Sequence, residues 1–234
     1  MELNSEISTF SILTVGFLLG LRHATEADHL AAVSTIVSEK KSLFTASIVG
    51  GLWGLGHTIS LFVVGLVVIF LKLQISESVE AKLEACVGVM LVILGINALR
   101  KLFTSEKVHV HSHDHGTREH LHFHTHQDEN SEAGHHRFSP RSVVIGMVHG
   151  LAGSAALMLI IVPTIPSPAV AIGYILIFGL GSIGGMMVMS LLIGLPFHFT
   201  ANRFEILNKG IRLCAGVFSF GLGLSIIYEK LLSS

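Results

Sequence analysis

Leu21-Arg22-His23-Ala24-Thr25-Glu26-Ala27-Asp28-His29-Leu30-Ala31-Ala32 sets two histidines, two carboxylates and an arginine in an otherwise apolar run. Upstream the chain reads Phe10-Ser11-Ile12-Leu13-Thr14-Val15-Gly16-Phe17-Leu18-Leu19-Gly20. Together they predict one membrane-spanning helix with its polar groups in the half nearer its C-terminal end. An ionisable side chain at the centre of such a helix costs about 2.5 kcal/mol or more. Several are kept together only if they face a partner, a cavity or an ion. Imidazole and carboxylate in one place are ligands for a divalent first-row metal.

Composition agrees with a membrane setting. Half of the 234 residues are hydrophobic and 13% are charged, against about 25% charged in soluble domains. Mean hydropathy is +0.69. No soluble domain of useful size fits beside the apolar runs. The net charge of −1 excludes the basic footprint of a nucleic-acid partner. Cys86 and Cys214 fall in apolar helices and read as small buried hydrophobes without a disulfide. Glu2 and Glu6, with no Lys or Arg before Arg22, argue against a cleaved signal peptide, which needs a positive start.

Six apolar runs of about bilayer length follow one another, at roughly 10–36, 44–71, 82–102, 142–163, 170–197 and 209–231. Polar or proline-rich segments separate them, among them Ser38-Glu39-Lys40-Lys41 and Pro163-Thr164-Ile165-Pro166-Ser167-Pro168. Six spans put both termini on one face. That face carries three basic residues, Lys72, Lys82 and Lys230; the other carries eleven, including Lys40, Lys41, Arg100, Lys101 and Arg141. The positive-inside rule then predicts both termini outside and the long loop in the cytoplasm.

The chain also repeats itself. Gly20-Leu21-Arg22-His23 returns as Gly146-Met147-Val148-His149, and Gly54-Leu55-Gly56 as Gly179-Leu180-Gly181. Cys86-Val87-Gly88-Val89 returns as Cys214-Ala215-Gly216-Val217, and Gly95 as Gly223. The offsets are 126, 125 and 128 residues. Three helices are an odd number, so the second half runs the opposite way through the bilayer. The expected fold is an all-α membrane protein of six transmembrane helices in two inverted three-helix repeats, with a substrate site where the halves meet. Residues 1–106 form the first repeat, 107–141 a cytoplasmic His-rich loop and 142–234 the second repeat.

On an ideal helix Asp28 lies about 140° and His29 about 240° around from His23, with a rise of about 9 Å between the histidines. One regular helix cannot bring all three to one ion. Either the helix unwinds around 23–29, as broken helices do in transporters, or the side chains serve two successive positions along a path. Gly16 and Gly20 weaken the preceding turns and favour the break. Arg22, Glu26 and His29 would share a face of an unbroken helix, making Arg22 and Glu26 a neutralising pair. His57, between Gly56 and Thr58 in the second run, is a candidate ligand opposite the first helix. The two glycines Gly54 and Gly56 let backbones approach. His149 is a further candidate, in a Gly150-rich setting that would also mark a tight crossing. His198 beside Pro196 reads as interfacial. Asn97, Ser182, Met186 and Met187 read as packing or interhelical hydrogen bonding.

Two motifs carry a resemblance. His23, four residues, then Asp28-His29, with Arg22 before and Ala31-Ala32 after, resembles the signature of the nickel/cobalt transporter superfamily. Leu55-Gly56-His57-Thr58 resembles its second motif. The later part of the signature departs, with Ser34-Thr35 where Asp-Asn is usual. A later acidic motif is replaced by His149-Gly150-Leu151-Ala152-Gly153-Ser154. That variant is similar to the shorter branch of urease-accessory or nickel-related membrane proteins. The resemblance implies a transported nickel or cobalt ion, rather than a resident cofactor, and a bacterial plasma membrane. The metal set expected from residues and resemblance together is His23, Asp28, His29, His57 and His149.

Segment 107–141 holds ten of the fifteen histidines, interspersed with Asp114, Glu119, Asp128 and Glu129. It cannot build a core and is expected to be disordered without metal. Neutral imidazoles would bind divalent metals loosely there. The His-Glu-x-x-His spacing of an intramembrane metalloprotease is missing, so no enzyme is expected. A phosphate-binding Gly-x-x-x-x-Gly-Lys motif is missing too, which leaves room for a separate energising subunit or a metal chaperone. The sequence thus reads as a divalent-metal transporter. The alternative is a membrane metal sensor or an accessory factor for a metalloenzyme.

Overall fold

A computed structural model describes residues 2–38, 40, 42–71, 76–104, 109–111, 122–124, 140–152, 162–165, 167–201 and 203–231. Seven helices dominate it: α1 (Glu2–His23), α2 (Ala27–Val37), α3 (Leu43–Leu71), α4 (Glu77–Thr104), α5 (Pro140–Ala152), α6 (Pro168–Ala201) and α7 (Glu205–Leu231). A 3-10 turn lies at Val162–Thr164. Three helices, α3, α6 and α7, are long and apolar enough to cross a membrane, and the parts of the first expected span are two shorter apolar helices. The expected fourth span starts as α5, but residues 153–161, with Gly153 and Ser154, lie outside the described residues. Large apolar side chains such as Phe10, Phe44 and Phe70 face outward, as a lipid-facing surface requires.

Helix contacts are reciprocal. α1 packs on α6 and α5 packs on α3; α3 and α6 pack on each other, as do α4 and α7. Small residues set these approaches. A Cβ on Gly20 of α1 would fall on the Phe178 carbonyl of α6, and one on Gly146 of α5 would fall on the Trp53 carbonyl of α3. Ser60 donates to the Met147 carbonyl at 2.8 Å, and Ser219 of α7 donates to the Leu91 carbonyl of α4 at 2.9 Å.

The expected break is present. α1 stops at His23, and Glu26 is extended (φ −67°, ψ 151°) ahead of α2. Thr25 and Glu26 close three-residue turns onto the Arg22 and His23 carbonyls at 2.9 and 3.1 Å. The Thr25 hydroxyl adds a second bond to Arg22 O at 2.6 Å, competing with helical continuation. Asp28 then accepts the His29 N–H at 2.9 Å, satisfying a first-turn donor of α2, where a carboxylate is also favoured by the helix dipole.

Four expectations change. Arg22 and Glu26 do not form the expected pair: the break removes the shared helical face, and Glu26 lies against His23 instead. The fifth run, expected at roughly 170–197, continues as α6 to Ala201 with Pro196 inside it, and His198 is exposed in its last turn. Cys86 and Cys214 are free, but exposed on helix faces rather than buried. Within the His-rich segment His109–His111 and His122–His124 pair as short antiparallel strands, with His109 opposite His124 and His111 opposite His122. His-Val-His and His-Phe-His have the two-residue alternation of a strand. The remaining histidines of that segment, His113, His115, His120, His126, His135 and His136, lie outside the described residues.

Candidate metal centre

The break gives the polar residues a common centre. α1 ends on His23 and α2 begins beside Asp28 and His29, so the backbone reverses the spread that a continuous helix would impose. α3 adds His57 and α5 adds His149. All four imidazoles are essentially inaccessible, at 0–1% exposure. His23 Nε2 and His57 Nε2 are 3.2 Å apart. The His29 ring lies 4.3 Å from that of His23, 4.2 Å from His149 and 5.3 Å from His57, centre to centre. The five residues expected from the sequence therefore meet at one place.

Asp28 is the hinge of their orientation. Its Oδ1 lies 3.0 Å from His29 Nδ1 and its Oδ2 lies 3.0 Å from His149 Nε2. A carboxylate can only accept, so both nitrogens donate to it when the imidazoles are neutral. That leaves the lone pair on His29 Nε2 and on His149 Nδ1. Both are buried atoms without a hydrogen-bond partner among the described residues. Glu26 Oε2 is 3.0 Å from His23 Nδ1, though not aligned for a hydrogen bond. His23 Nε2 faces His57.

Two ligand sets could hold an ion, His23–His29–His57 and Asp28–His29–His149; within each, the donor atoms lie within 4.8 Å of one another. With metal–nitrogen bonds of about 2.0–2.1 Å, two donors on one ion stand about 3.0 Å apart at a right angle and about 3.4 Å apart in a tetrahedron. The 3.2 Å between the His23 and His57 nitrogens fits that range. The first set is a three-nitrogen site with an anionic carboxylate behind it, the arrangement in which a second-layer acid fixes a ligand's tautomer and raises its basicity.

Two aromatic residues not picked out from the sequence complete the walls. Trp53, buried on α3 one turn before His57, lies 5.2 Å from the His29 ring and 5.3 Å from the His149 ring. Phe178 of α6 lies 5.6 Å from the His23 ring. Both look like core residues in an apolar helix. Their signal was the spacing of 125 residues between them, the offset of the repeat. His198 lies against Phe199, with ring centres 5.9 Å apart, on a surface away from the cluster. Ser182 donates to the Gly20 carbonyl, and Met186 packs in the core beside Trp53.

Apolar helices closing around imidazoles and a carboxylate define a membrane protein that handles a metal cation. Residues 9–203 match the family model NicO, described as a high-affinity nickel-transport protein. The chain belongs to that family, which is one of transport proteins rather than enzymes. It is 40% identical over 234 residues to the urease accessory protein UreH of Bacillus sp. (strain TB-90), with 96% of this chain and 93% of that one covered. It is 23% identical over 222 residues to the chloroplast protein FOR GROWTH AND FERTILITY 2 of Arabidopsis thaliana, and 24% over 215 residues to FOR GROWTH AND FERTILITY 1. The alignments cover 55% and 57% of those two proteins. No solved structure matches.

Proposed function

We propose that this protein carries nickel or cobalt across a bacterial plasma membrane, binding the ion among His23, His29 and His57 with Asp28 and His149 supporting or sharing it. The observation that carries this reading is the meeting of four buried imidazoles at one place, two of them on the Asp28 carboxylate. Without a cation such a cluster leaves lone pairs unmatched in low dielectric, at a cost of about 1–3 kcal/mol per group. A divalent ion takes up those lone pairs, and Asp28 offsets part of its charge.

His29 belongs to both ligand sets. A neutral imidazole has one lone pair, so His29 serves one set at a time. An ion can pass between them by exchanging Asp28 and His149 for His23 and His57 while His29 turns. Protons compete with the metal because the ligand is the neutral imidazole.

The reading includes two inverted repeats of three spans, 1–106 and 142–234, with both termini outside. The reciprocal packing of α1 on α6 and α5 on α3, and the matched Gly20–Phe178 and Gly146–Trp53 approaches, support a two-fold relation of the halves. His23 and His149 are then equivalent positions of the two repeats, and the cluster lies between them. Segment 107–141 is read as a cytoplasmic metal-binding loop.

A second reading, an accessory factor that serves a metalloenzyme without moving ions, is favoured by the name of the urease accessory relative. Reconstitution separates the two. Vesicles containing the purified chain should accumulate ⁶³Ni, and His29→Ala vesicles should not. Equal accumulation in protein-free and wild-type vesicles would reject transport by this chain alone.

A further inference from the structure

We propose that the hollow between the end of α2, the end of α4 and the start of α5 binds a phosphate-bearing anion. The hollow has a volume of about 120 Å³ and is lined by Lys40, Lys101, Arg141, Thr35, Asn97 and Ser142 among others. Water takes about 30 Å³ per molecule in the liquid, so a tetrahedral oxyanion fits. Among the described residues, three of the lining side chains are cationic and none is acidic. Neither Lys40 nor Arg141 forms an ion pair with any described residue.

Like charges gathered in a partly enclosed hollow repel one another, and a shared anion removes that repulsion through charge-assisted hydrogen bonds. Guanidinium offers a planar fork to two phosphate oxygens, and the ammonium groups act as point charges. The backbone adds to this. Pro140 opens the 13-residue α5, so the first-turn N–H groups that follow it point outward with the positive end of the helix dipole behind them. The Ser142 hydroxyl and Asn97 amide supply neutral donors.

The elements that meet here are helix ends on the face rich in Lys and Arg. A basic pocket between membrane helices at that level takes a phospholipid head group, and a free phosphate offers the same chemistry. An anion held there also ties α2 to α5, the helices that carry His29 and His149. The site does not overlap the metal cluster: Thr35 is about 9 Å along α2 from His29.

The full-length protein is placed in nanodiscs of phosphatidylcholine with or without phosphatidylglycerol, and retained lipid is read by native mass spectrometry. The wild type should keep phosphatidylglycerol in excess of its share in the disc. Lys40→Gln with Arg141→Gln should hold it about 30-fold more weakly. Lys209→Gln, which removes a cation paired with Glu205 at 3.1 Å outside the hollow, should behave as wild type. If free phosphate is the ligand, inorganic phosphate raises the thermal midpoint of the wild type in pure phosphatidylcholine discs, and not that of the double variant. Trp53 emission and Ni²⁺ quenching identical to wild type establish that the double variant is folded; the single Lys40→Gln variant replaces it otherwise. The proposal is overturned if the wild type shows neither lipid excess nor a phosphate response. It is equally overturned if Lys209→Gln loses as much as the hollow variants.

Discussion

Asp28 on α2 and His149 on α5 are 121 residues apart in the chain and 3.0 Å apart in space. The same carboxylate holds His29 at 3.0 Å through its other oxygen. One side chain thus couples the broken first helix to the second half of the chain and sets which nitrogen of each imidazole is left to a cation. Asp28→Asn keeps the size but loses the charge and one acceptor. Ni²⁺ affinity should fall about 10- to 100-fold, and uptake into vesicles should stop while the protein still reaches the membrane. His149→Ala should cost less, because Asp28 keeps its contact with His29. Isothermal titration of both variants and the double variant gives the coupling, and additive losses would disconnect the two residues.

Glu26 offers a milder test of the same logic. Its carboxylate is 43% exposed and stands 3.0 Å from His23 Nδ1. Glu26→Gln should weaken Ni²⁺ binding by about tenfold, the low end for an orienting group, with little effect on thermal stability. Unchanged affinity would mean that the His23 ring is set by packing against Phe178 alone.

The glycine approaches make a stability prediction with an internal control. In Gly146→Ala the new methyl group meets the Trp53 carbonyl, pushing α5 off α3 and His149 off the cluster. A loss of about 1–3 kcal/mol is expected. Gly184 has nothing within 4 Å, so Gly184→Ala should be neutral or slightly stabilising. Unfolding in detergent micelles reads both.

Replacing 107–139 by a short Gly-Ser linker should alter apparent affinity or regulation and leave transport in place. Uptake against Ni²⁺ concentration checks this, and complete loss of flux would make the loop part of the pathway.

Much of this architecture was legible in residue spacing. The mismatch between an ideal helix and a shared site for His23, Asp28 and His29 favoured a break over two successive positions, and α1 does stop at His23. What spacing could not supply was tertiary. Arg22 and Glu26 looked paired because i,i+4 neighbours meet on a regular helix, and the break that gathers the histidines abolishes that geometry. Asp28 stood out as a candidate ligand, and spacing did not show that its two oxygens also reach His29 and His149. Trp53 carries no polar signature beyond one N–H in an apolar helix, so its place against two imidazoles appears only when α3 and α5 are packed. Cys86 and Cys214 looked buried because apolar helices in water bury such residues; in lipid the outward face is apolar as well.

Trp53 is the chain's single tryptophan, and its ring lies 5.2 Å from His29 and 5.3 Å from His149. Its fluorescence therefore reports on the cluster itself. Titrating purified protein with Ni²⁺ or Co²⁺ should quench the emission saturably, with one ion per chain, and His29→Ala should remove the response. An emission that stays constant through saturating metal, or is quenched equally in His29→Ala, would contradict a cation held among these imidazoles.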